Sequence, residues 1–115
     1  MDKVKKYQSA IRQSLEQRPL QVNPDMQFEE YERELILDDV GGHYLLLGVG
    51  WQGSKRVHGI SVHIDLKGEK IWIQQDYTER GIARDLVDLG VPKSDIVLAF
   101  HAPRRRQMME EYAAA

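Results

Sequence analysis

Cysteine is absent from all 115 residues. That excludes disulfides, thiolate nucleophiles and cysteine-ligated zinc, and it fits a reducing compartment. No stretch approaches the roughly 20 consecutive apolar residues that a membrane helix needs. The opening residues, Met1-Asp2-Lys3-Val4-Lys5-Lys6, are basic but run into Tyr7-Gln8-Ser9 without an apolar core, so no secretory signal is expected. The expected location is the cytoplasm, with no membrane contact. A basic excess is also lacking, since the formal net charge is −2. Duplex-DNA binders draw much of their affinity from neutralised phosphates, and this balance argues against a dedicated one. Acidic residues crowd Glu29 to Asp39, and Arg104-Arg105-Arg106 is the basic run of note.

What is present suits one globular domain spanning residues 1–115. The apolar share is 42% and the charged share 30%, far from the disordered class. A chain of this length buries roughly 65% of the surface its unfolded form exposes, enough for a core without staples.

Val4, Tyr7, Ile11 and Leu15 recur at steps of three to four and predict a first helix. Pro19 ends that pattern, and Gln21 to Asp25 reads as a connector. From about Tyr31 the period changes to two. Strands are expected at Leu35 to Leu37, His43 to Trp51, Arg56 to Leu66 and Lys70 to Asp76, joined by short turns into an antiparallel meander. Thr78 is placed to cap a second helix with Ile82, Ala83, Leu86, Val87 and Leu89 on its apolar face. Gly90 and Pro92 end that helix. Ile96 to Phe100 is an unbroken apolar run, expected as a short strand covered on both faces. Arg104 to Ala115 can start a short helix. The fold class is therefore α+β: N-terminal helix, four-stranded antiparallel meander, second helix, short C-terminal strand.

A two-residue turn at Gly68-Glu69 places Leu66 opposite Ile71, Ile64 opposite Ile73 and Val62 opposite Gln75. Extended across the Gln52 to Lys55 turn, the same parity puts Leu45, Leu47, Val49 and Ile60 on the core face. The opposite face then carries Tyr44, Leu46, Gly48, Gly50, Val57, Gly59, Ser61, His63, Asp65, Trp72, Gln74 and Asp76. Gly48, Gly50 and Gly59 make a bare patch, and glycine inside a strand marks a close approach to backbone. Trp72 beside it suggests a partner surface, with self-cover by the last strand or the tail as the alternative. The expected interaction surface is Tyr44, Gly48, Gly50, Gly59, His63, Asp65, Trp72 and Gln74.

Chemistry has fewer candidates. His63, Asp65 and Asp76 can converge, and a His with two carboxylates can bind a divalent metal or do acid–base work. Alternating polar residues are also what the solvated face of any antiparallel sheet shows. His58 falls on the core parity, and His101 follows a buried strand. Gly48-Val49-Gly50 lacks the rest of a phosphate loop, and no serine sits on a strand-to-helix elbow. Arg104, Arg105 and Arg106 offer at most three phosphate contacts, so they read as a solvated turn or as a secondary DNA contact. No cofactor and no enzymatic activity are expected.

The chain also resembles the XisI family. The residues that carry the likeness are His43-Tyr44-Leu45-Leu46-Leu47-Gly48-Val49-Gly50-Trp51, Val57-His58-Gly59, Val62-His63-Ile64-Asp65 and Gly68-Glu69-Lys70-Ile71-Trp72-Ile73-Gln74. It continues through Thr78-Glu79, Gly81-Ile82-Ala83, Leu89-Gly90-Val91-Pro92-Lys93, Asp95-Ile96-Val97-Leu98 and Phe100-His101-Ala102-Pro103. Gln107 to Ala115 falls outside it. XisI-like proteins are named as controlling factors for excision of the fdxN element in filamentous cyanobacteria. The resemblance implies an accessory, regulatory role through protein–protein contacts, beside an XisH-like accessory protein and a site-specific recombinase. It brings no agreed catalytic residues. A homodimer through the same sheet face is a further expectation, and direct DNA binding through Arg104 to Arg106 is the alternative.

Overall fold

The periodicities resolve into one five-stranded sheet with the first two helices packed on one face. The computed structural model describes residues 2–17 and 28–115; the break at Pro19 and the connector expected at Gln21 to Asp25 lie outside these. In chain order the elements are α1 (Lys3–Glu16), β1 (Glu29–Asp38), β2 (His43–Gln52), β3 (Lys55–Lys67), β4 (Lys70–Asp76), α2 (Ile82–Asp88), a 3-10 turn (Lys93–Asp95), β5 (Ile96–Leu98) and α3 (Pro103–Met108). The spatial order is β1-β2-β3-β4-β5. The first four strands form the expected antiparallel meander, and β5 adds in parallel to β4.

Asp2 caps α1, accepting a 2.8 Å hydrogen bond from the Lys5 amide. Tyr7, Ala10, Ile11 and Leu15 on its apolar stripe are buried, whereas Val4 stays at the edge. They pack in one core with Ile82 and Leu86 of α2 and with Tyr44, Leu46, Val62, Ile64, Ile71 and Ile73 of the sheet. At the β3–β4 hairpin both Gly68 and Glu69 have positive φ, as a two-residue turn that follows the sheet twist requires. α2 starts later than Thr78 because Gly81 has φ +88° and breaks the helical run. Thr78 Oγ1 instead accepts from the Gly81 amide at 3.2 Å. The first helical amide, Ile82, donates to Asp76 Oδ2 at 2.7 Å. Gly90, at φ +97°, closes the helix as expected.

Three bulges set which side chains face the helices. In β3, Leu46 pairs with Val62 but Leu47 with Ile60, so Ser61 is an extra residue. In β4, Ile64 pairs with Ile73 but His63 with Gln75, so Gln74 is extra and Val62 sits opposite Asp76, not Gln75. In β1 the register slips between Glu29 and Glu32. One inserted residue reverses the facing of everything beyond it. Tyr44 and Leu46 therefore point into the core, while Leu45, Leu47, Val49 and Ile60 lie on the outer face, the reverse of the simple parity.

The polar anchor of the core is Asp95. It accepts a short hydrogen bond from the Tyr7 hydroxyl and a 2.8 Å ion pair from Lys3, so α1 is tied to the turn before β5. Burial pushes the Asp95 carboxyl up, but the bonds from Lys3 and Tyr7 outweigh it and hold the group below the usual carboxylate range. Its contribution to stability is present above about pH 4, the unfolded value, and is lost as pH falls through the lower folded one. Tyr7→Phe removes a buried bond to a charged acceptor and is expected to cost about 1.5–3 kcal/mol in urea unfolding at neutral pH. The gap from wild type should narrow as the solution is acidified below about pH 4.

Candidate functional site

β2 and β3 project their polar side chains onto the outer face at the end where the β1–β2 turn closes. His43 is the direct cross-strand partner of Asp65, and His63 stands two residues from Asp65 on the same strand and face. Asp65 Oδ1 lies 2.8 Å from His43 Nδ1 and 3.0 Å from His63 Nε2. Its other oxygen accepts from Gln74 Nε2 at 3.1 Å. The Gln74 bulge lets this amide reach across. Asp65 is thus held by three side chains, with both imidazoles turned onto one carboxylate oxygen.

Burial pushes the Asp65 carboxyl up, but the bonds from His43, His63 and Gln74 prevail and hold it below its ordinary range. His43, on the solvent side of the cluster, is raised, chiefly by its hydrogen bond to Asp65.

Several sequence-derived site residues fall elsewhere. Tyr44 is 0% exposed, and its hydroxyl donates to Asp39 at 2.8 Å; Asp39 also takes an ion pair from Arg12 of α1 at 3.1 Å. It is a core residue because the Ser61 bulge pairs it with Ile64 on the helix side. Asp76 shares that side and caps α2, so it does not join His63 and Asp65. Gly48 and Gly50 are not bare. A Cβ on Gly48 would collide with the Tyr31 hydroxyl, and one on Gly50 would lie 2.8 Å from Tyr31 Cα. The irregularity in β1 brings Tyr31 down on this pair, and Phe28 packs beside it with ring centroids 5.1 Å apart. The close approach that glycine signalled is the chain's own. Gly59 is the open one of the three.

Trp72 is on the outer face, as expected, opposite Asp65. Its ring is flanked by Lys67 Nζ at 4.1 Å and Arg106 Cζ at 5.8 Å from the centroid, so its surroundings come partly from its own chain. Arg106 also donates to the carbonyls of His101 and Ala114 at 2.8 and 2.9 Å, which occupies it in holding the C-terminal segment. Arg104 and Arg105 remain exposed on α3. His58 is exposed opposite Val49, outside the core. His101 stacks at 4.5 Å on Phe100, a structural contact.

Sequence reasoning missed two features. One is His43, which the strand pattern marks only as a strand start; its cross-strand register brings it to Asp65. The other is an apolar stripe on the outer face. Ile36, Leu45, Leu47, Val49 and Ile60 lie on neighbouring strands there, with Ile36 47% and Ile60 37% exposed. Glu32 and Glu34 border it on β1, and Arg56 and His58 on β3.

A family model described as XisI protein matches residues 1–114. The chain belongs to the XisI family. Two solved structures from Anabaena variabilis ATCC 29413 share the fold of this XisI-family chain. One is the fdxN element excision controlling factor XisI, 33% identical, with a TM-score of 0.80, covering 99% of this chain and 100% of that one. The other is a XisI-like protein, 37% identical, with a TM-score of 0.77, covering 97% and 99%. No curated protein matches. The matches bear out the helix–meander–helix–strand order expected for an XisI-like chain. No helix among the described residues is long and apolar enough to cross a membrane.

The Asp65 cluster makes a signed pH prediction. His43 is raised, so its part of the pairing is full below about pH 6.5 and fades as pH rises through the higher folded value. Asp65 is lowered, so its part is full above about pH 4 and fades on acidification. The pairing is therefore most favourable between those limits. In Asp65→Asn the His43 ring, followed by NMR, should titrate at a lower pH than in wild type.

Proposed function

We propose that this XisI-family protein is an accessory factor in programmed excision of a DNA element and acts through protein–protein contact, with no catalysis of its own. Its likeness to an fdxN element excision controlling factor supports the first part. The observation that carries the second is the apolar stripe in which Ile36 and Ile60 are exposed and Leu45, Leu47 and Val49 are half-buried. A contiguous apolar face rimmed by charge is the composition of a contact surface.

Its charges favour a second copy as the occupant. Carboxylates Glu32 and Glu34 edge the stripe on β1, and Arg56 and His58 edge it on β3. A two-fold axis lying between the faces and along β2 lays β1 of each copy over β3 of the other. That sets the carboxylates of each copy toward Arg56 of the other on both sides of a shared apolar centre. The dimer then presents the factor to the XisH-like accessory protein or the site-specific recombinase that the family resemblance implies.

Analytical ultracentrifugation tests this. Wild type should sediment as a dimer, and Leu47→Asp, which buries charge at the centre of the interface, should sediment as a monomer with an unchanged far-UV spectrum. A monomeric wild type, or a Leu47→Asp dimer, would overturn the assignment. Steeply salt-dependent DNA binding that disappears in Arg104→Ala/Arg105→Ala would favour the nucleic-acid reading instead.

A further inference from the structure

The His43–Asp65–His63 cluster offers two imidazole nitrogens and a carboxylate oxygen, all within 4.8 Å of one another. Among the described residues it is a group that could hold a metal ion: two imidazole nitrogens gather around one carboxylate oxygen at the solvent boundary. Asp65 is further oriented by an outer amide, since Gln74 Nε2 takes Oδ2 and leaves Oδ1 facing both rings. We propose that this cluster is a binding site for a borderline divalent transition cation of the zinc, cobalt or nickel class. His43 Nδ1, His63 Nε2 and Asp65 Oδ1 are its protein ligands, and the fourth position is open to water.

The chemistry selects the ion. Two imidazoles and one carboxylate suit zinc and its neighbours, whereas magnesium and calcium require mostly oxygen ligands. The geometry is close to ready. Bonds of about 2.1 Å in a tetrahedral site hold donors about 3.4 Å apart. The His43–Asp65 and His63–Asp65 pairs stand at 2.8 and 3.0 Å and all three donors lie within 4.8 Å of one another, so binding needs each imidazole to turn, drawing back from Asp65 as the two rings close on the ion. On binding, the ring proton now shared with Asp65 moves to the other nitrogen of the same imidazole, and the freed lone pair takes the metal. The scaffold is rigid for the same reason the cluster exists: His43 and Asp65 are paired across a ladder, and His63 follows two residues on.

The proposal does not rest on the dimer or on the excision role. Isothermal titration of the untagged full-length chain with zinc chloride, repeated with nickel and magnesium, tests it directly. Wild type should take up one zinc or nickel ion per chain and no magnesium. His43→Gln, His63→Gln and Asp65→Asn should each abolish that uptake, while Gln74→Ala should weaken it by about ten- to a hundredfold. His58→Gln and His101→Gln should bind as wild type does. Far-UV spectra of every variant separate loss of ligand from loss of fold, and His43→Gln, at the exposed end of the cluster, is the variant least tied to folding. Absence of zinc uptake by wild type, uptake unchanged in His43→Gln, or equal preference for magnesium would overturn the assignment.

Discussion

A single inserted residue at Ser61 divides β3 into halves that face opposite ways, and most of the molecule's organisation hangs on it. Toward the hairpin, Val62 and Ile64 point under the helices; beyond the bulge, Ile60 turns outward against Leu47. The bulge is held on both sides, since the Ser61 hydroxyl donates to the Leu46 carbonyl at 3.1 Å and its own carbonyl accepts from the Tyr77 amide at 2.9 Å. Because side chains alternate with a period of two, this local slip decides that Tyr44 and Leu46 fill the core and that Leu45, Leu47 and Val49 do not. The outer apolar stripe follows from the same slip.

The second organising group is a carboxylate on each side of the sheet. Asp95 receives Tyr7 and Lys3 and fastens α1 over the core, which lets a short helix with a modest apolar stripe stay docked. Asp65 receives His43, His63 and Gln74 on the far face. Both are partly buried acids that remain ionised because neighbouring donors outweigh the cost of burial. One is committed to architecture by the hydroxyl and ammonium it holds. The other is bordered by two imidazoles that can ligate metals, and so it is the chemically versatile one.

Within this frame the glycines of β2 have a structural purpose. Gly48 and Gly50 let Tyr31 lie against the backbone, so the distal part of the sheet receives an aromatic from the neighbouring strand. Trp72 is similarly flanked by Lys67 and Arg106. Among the described residues, the centre of the outer face keeps Ile36 and Ile60 exposed beside the half-buried Leu45, Leu47 and Val49, where the apolar residues of β1, β2 and β3 meet.

The sequence by itself determined the elements and their order. The 3.6-residue spacing of Tyr7, Ile11 and Leu15, the turn chemistry of Gly68-Glu69, the stop at Gly90 and the apolar run at Ile96 are local signals, and local physics is enough to read them. His63, Asp65, Gln74 and Trp72 were also legible as outer-face residues, since the β3–β4 hairpin fixes their facing near its turn. Facing farther from that turn was not legible. Tyr44 to Val49 is apolar at both parities, and Ile60, Val62 and Ile64 keep a regular alternation straight through the bulge. A bulge is stabilised by contacts from Leu46 and Tyr77, which are distant in the chain, so nothing in the run itself announces it. His43 joined Asp65, and Asp76 left it for α2, for the same reason: cross-strand register is a property of the assembled sheet, and only the tertiary structure decides it.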